Sequence, residues 1–98
     1  MYQEILQSIV EPLTIHTLGG QSSITVHNQG QLVIVNASGN SYFVDEELFN
    51  IVYHRFEQLP IDDRIRAGQY THPLWEECPN LISPAYVAAL INHFSRFM

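Results

Sequence analysis

Lysine is absent from this chain of 98 residues, and Cys78 is its single cysteine. The basic residues are four arginines, Arg55, Arg64, Arg66 and Arg96, against ten acids, for a net charge of −6. Without lysine there is no Walker-type phosphate loop, because that motif needs a lysine to reach the phosphates. One cysteine excludes an internal disulfide and any zinc site built on cysteine pairs. The acidic balance argues against bulk binding of nucleic acid, which draws on phosphate neutralisation and counterion release. The acids form no tail or run that would mark a solvating segment or a nucleic-acid mimic.

Long apolar runs are missing too. The longest, Leu32 to Val35, falls far below the ~20 residues of a membrane span. The first residues, Met1-Tyr2-Gln3-Glu4-Ile5-Leu6, lack the basic region and apolar core of a secretory signal. A cytoplasmic protein with no membrane association is the expectation.

Apolar residues make up 46% of the chain and charged ones only 14%, against about a quarter charged in an average soluble domain. Its surface must be finished with uncharged polar groups. Such a chain hides its surplus apolar material in an oligomer or presents it to a partner, since large apolar patches are uncommon on monomers. The length fits one domain, residues 1–98, so the composition predicts a homodimer with a further protein partner open.

Apolar positions Tyr2, Ile5, Leu6, Ile9 and Val10 keep helical spacing until Pro12 ends it. Leu13 to Leu18 alternates with period two and stops at Gly19-Gly20, the pattern of a half-buried strand. Ser23 to His27 and Gln31 to Asn36 flank Asn28-Gln29-Gly30, a hairpin signal. Ala37-Ser38-Gly39-Asn40 then turns into Ser41 to Val44, completing a meander. Leu32 to Val35 is apolar on both faces, as expected where one face meets helices and the other a partner sheet or subunit. Asp45 caps a helix with Glu46 and Glu47 in its first turn and an apolar stripe of Leu48, Val52, Phe56 and Leu59, widened by Phe49, Ile51 and Tyr53. From Pro60 to Ile82 no period is clean; the segment reads as an ordered connection with a helical turn at 61–67. Ser83-Pro84 opens a last helix carrying Val87, Leu90, Ile91, Phe94 and Phe97 on one face. The sum is an α+β fold: a small antiparallel meander of three to four strands with two or three helices packed on one face.

No catalytic, metal or nucleotide motif stands out, and no cofactor is predicted. The densest group of unusual residues is Tyr70-Thr71-His72-Pro73-Leu74-Trp75-Glu76-Glu77-Cys78. As an interaction segment it offers Tyr70, His72, Leu74 and Trp75, the last a frequent interface anchor. As a small enzyme it would use His72 with Glu76 or Glu77. Cys78 makes a poor nucleophile there, because two preceding carboxylates disfavour the thiolate. The histidines His16, His27, His54, His72 and His93 show no ligand spacing with one another or with Cys78. Arg64, Arg66 and Arg96 with nearby aromatics are the basis of a nucleic-acid alternative, although Asp62 and Asp63 beside the first two explain them equally by local pairing. A non-enzymatic, self-associating interaction module is the leading expectation.

Overall fold

The computed structural model describes residues 1–74 and 84–95, apart from the side chains of His72 and Pro73. The chain opens with α1, Tyr2–Ser8, and then forms four strands: β1, Leu13–His16; β2, Ser23–Asn28; β3, Leu32–Val35; β4, Ser41–Val44. They pair antiparallel in the order β1-β2-β3-β4, an uninterrupted meander. Helix α2, Glu46–Gln58, follows, then a 3-10 turn at Ile61–Asp63, helix α3, Gly68–Leu74, and helix α4, Pro84–Ser95. The α+β fold class is the one the sequence predicts.

Short-range chemistry sets most of these boundaries. Gly30 and Gly39 supply the positive φ, 83° and 87°, that their hairpin turns require. The Asn28 and Asn36 side chains brace those turns by accepting from Gly30 N and from Ser38 N and Asn40 N. Asn28 also donates to Leu6 O at 2.8 Å and so ties the first hairpin to α1. At α2, the Asp45 carboxylate accepts from Leu48 N at 2.8 Å, the predicted cap. Pro84 stands at the first position of α4, where its missing N–H has no helical use.

Strand alternation places Ile15, Ile24, Val26, Leu32, Ile34 and Val44 on one face. All six join the core with residues of all four helices, whereas Val33, on the other face, does not. The helices therefore share one side of the sheet. Helix α4 lies deepest, burying Val87 through Asn92 without a break.

Four details depart from the sequence reading. Helix α1 ends at Ser8, Ile9 is extended, and Val10 is 89% exposed rather than part of the stripe. Pro12 accounts for this, having no N–H for a helical bond to Ser8 O. Strand β1 stops at His16, with the turn beginning one residue later at Thr17. In α2 the stripe centres on Phe49, with Val52, Phe56 and Leu59 buried as expected, and Leu48 is only half-buried. The stretch read as a connection contains helix α3, which buries just Tyr70 and Leu74, one turn apart, among its described side chains.

Candidate functional site

The side of the sheet turned away from the helices follows from register. Thr14, Thr25, Val35 and Ser41 form one row across the four strands. His27, Val33 and Phe43 form the next, and His16 pairs with Ser23 beyond the first. No residue in any of the four strands is an acid or an arginine, so this open face carries no fixed charge on a chain of net −6. Phe43 is 61% exposed on it, and Val33 only 3%, shaded by its neighbours. The Thr14 and Thr25 hydroxyls lie 3.2 Å apart and satisfy one another.

One margin of that face is the edge of β1, which pairs with no further strand among the described residues. Thr17 N donates to Ser22 O at 3.0 Å and continues the ladder beyond His16. Bonded pairs alternate along an antiparallel ladder, so Leu13 and Ile15 bond to β2 while Thr14 and His16 aim their N–H and C=O outward. No described residue bonds to these outward groups. Beside the edge lies a cavity of about 470 Å³, lined by Ile15, Leu18, Ile65, Ala89, Asn92 and His93 among others, with no acid or arginine among the described residues of its wall. Ile65 is 56% exposed. Sequence periodicity identifies the strands, but it could not show that the uncharged positions of all four converge on one open surface, because that depends on the pairing register.

The three described arginines each engage a group of their own chain. Arg64 lies over the Phe56 ring, 4.6 Å from its centroid, and donates through Nε to Leu59 O at 3.0 Å. Arg66 is exposed and faces Asp63 at 3.6 Å, the local pairing that the sequence suggests. Arg96 lies outside the described residues. Arg55 donates through Nε to Gln69 O at 3.0 Å and through Nη2 to Gln69 Oε1 at 3.2 Å. Gln69 O is the carbonyl that a residue at position 73 would bond in a continuous helix, and Pro73 has no N–H to give. Arg55 thus supplies the donor that proline removes from α3. Arg55→Met is expected to lower stability by about 2 kcal/mol, as for a charge-assisted bond, with hydrogen exchange in α3 speeding up more than in the sheet. Unchanged urea unfolding would refute this role.

Of the interaction segment, Tyr70 and Leu74 are core residues, which removes them from the accessible surface. The Tyr70 hydroxyl donates to Arg64 O at 2.6 Å, and burial pushes its pKa upward against the lowering influence of the Asn92 hydrogen bond and of Arg64 and Arg55. His72 lies in α3 by its backbone; Trp75, Glu76, Glu77 and Cys78 lie outside the described residues. A second cavity, about 740 Å³, runs beside α2 past Glu47, His54, Arg55 and Leu74. In its wall the His54 Nε2 lies 3.2 Å from the Gln58 amide nitrogen and is not ion-paired with Glu47. Among the described residues no three His, Cys, Asp or Glu side chains gather as a metal-binding group, and no helix is long and apolar enough to cross a membrane. Comparison with protein-family models, with curated proteins and with solved structures finds no match for this chain.

Proposed function

We propose that this protein is a non-enzymatic interaction module of the cytoplasm, which self-associates as a homodimer and serves as a small accessory subunit to another protein. The observation that carries this reading is the open sheet face, free of acids and arginines and bearing Phe43 at 61% exposure. Two copies of a chain at −6 repel wherever acid-bearing surfaces meet, and the uncharged sheet, with its open face and its β1 edge, offers surfaces where a second copy and another protein can approach without opposing like charges. The lone cysteine, Cys78, suits a reducing compartment. The reading rests on the sheet and not on the Tyr70 to Trp75 segment, since Tyr70 and Leu74 already bury their apolar surface in the core.

Light scattering across a dilution series tests it. The expected mass is that of two chains, held down to low micromolar concentration. A mass of one chain at every concentration rejects self-association.

A further inference from the structure

Building on that self-association, we infer that the two copies join through the outer edges of β1, paired antiparallel about a two-fold axis at Ile15. The outward main-chain groups of β1 belong to Thr14 and His16, which flank Ile15 symmetrically. A two-fold axis there sets Thr14 of each copy opposite His16 of the other, with each residue's N–H meeting the other's C=O. Every outward group of the strand is then satisfied, and the two four-stranded sheets become one continuous sheet with both sets of helices on the same side.

A second copy is the occupant that the local chemistry favours. The strand Leu13-Thr14-Ile15-His16 carries no lysine, proline or acid, the usual guards of an edge strand against pairing. A charged segment entering beside it would lose water without meeting a counter-charge from the adjoining cavity, whose described wall holds no acid or arginine. An identical uncharged strand brings no such penalty. The same register sets Leu13 of the second copy opposite Thr17, at the end of β1 where Thr17, Leu18 and the exposed Ile65 line the cavity. Leu13 is half-buried within its own protomer, and Ile65 thereby acquires apolar cover. The open face, with Phe43 and Val33, stays free for the other partner.

Charge placed at the paired positions tests the register. Thr14 and His16 are exposed, and their neighbours on β2, Thr25 and Ser23, are uncharged; the two new charges also meet each other along one strand face, but that effect is the same in monomer and dimer and drops out of the dissociation constant. In Thr14→Lys/His16→Lys each introduced ammonium faces another across the axis, and like charges directly opposite destabilise a strand pair. The dimer dissociation constant measured by sedimentation is expected to rise roughly tenfold or more. In Thr14→Glu/His16→Lys each carboxylate faces an ammonium of the other copy, and the constant is expected to return to the parent value or below. Circular dichroism confirms that both variants are folded. A parent dimer whose dissociation constant is the same in both variants overturns β1 pairing and leaves self-association standing. A parent protein that is monomeric throughout overturns both.

Discussion

Tyr2→Ala is expected to lower the free energy of unfolding by about 3 to 5 kcal/mol, the range for deleting a buried aromatic side chain. The ring is buried and meets Phe49 edge-on, with centroids 5.4 Å apart and planes at 68°. That contact fastens α1, seven residues long and too short to persist alone, to α2. The hydroxyl does something separate. It accepts from Leu32 N at 3.2 Å and donates to Val44 O at 2.7 Å, and these two residues are register partners of β3 and β4. A side-chain oxygen thus bridges the two residues that pair at this end of the ladder. Tyr2→Phe keeps the ring and removes only the two hydrogen bonds of that bridge, for an expected loss of about 1 to 2 kcal/mol. Urea unfolding of both variants, with the exchange rate of the Leu32 amide, separates the two contributions. A Tyr2→Phe protein as stable as its parent, with Leu32 equally protected, would show that the bridge is dispensable.

This bridge also marks what a sequence can disclose. Local rules were sufficient for the caps and turns: Asp45 before two acids, Pro84 at the first position of α4, and glycines after short polar stretches each act within a few residues. The strands were legible by alternation. Helix α3 was not, because Pro73 hides it and because its core contribution among the described side chains is two residues, too few to show a period. The repair of Pro73 by Arg55 spans 14 positions of sequence, and the Tyr2 bridge spans 42 and 30. Such partners are set by packing. The offset of the α2 stripe from Leu48 to Phe49 has the same origin: either residue fits a helical period, and the position of Tyr2 selects the one beneath it. For the candidate surface, the double apolar character of Leu32 to Val35 was visible as a reason to expect a partner. The outward groups of Thr14 and His16 required the ladder's phase.

The last expectation concerns the junction of α3, α4 and the turn before α3. Arg64 O accepts from the Tyr70 hydroxyl at 2.6 Å and from Asn92 Nδ2 at 2.9 Å, and the same amide nitrogen donates to Ala88 O at 2.8 Å. Either single change leaves Arg64 O one donor, so Tyr70→Phe and Asn92→Leu should each cost about 1 kcal/mol. The double variant leaves that carbonyl with neither donor, and the cycle should be non-additive, for a total of about 3 to 5 kcal/mol. Alkaline unfolding isolates the tyrosine. Burial raises the Tyr70 pKa above the ordinary tyrosine value, which is about 10, so the folded chain holds this proton where the unfolded chain has released it. Its contribution is complete below about pH 10 and declines as pH rises through the raised value, because protons bound only by the folded state make stability fall with pH. Tyr70→Phe has no such proton, so its urea midpoint should fall less steeply than the parent's above pH 10. Parallel alkaline profiles would place the hydroxyl in contact with water, and an additive cycle would mean that Arg64 O finds another donor.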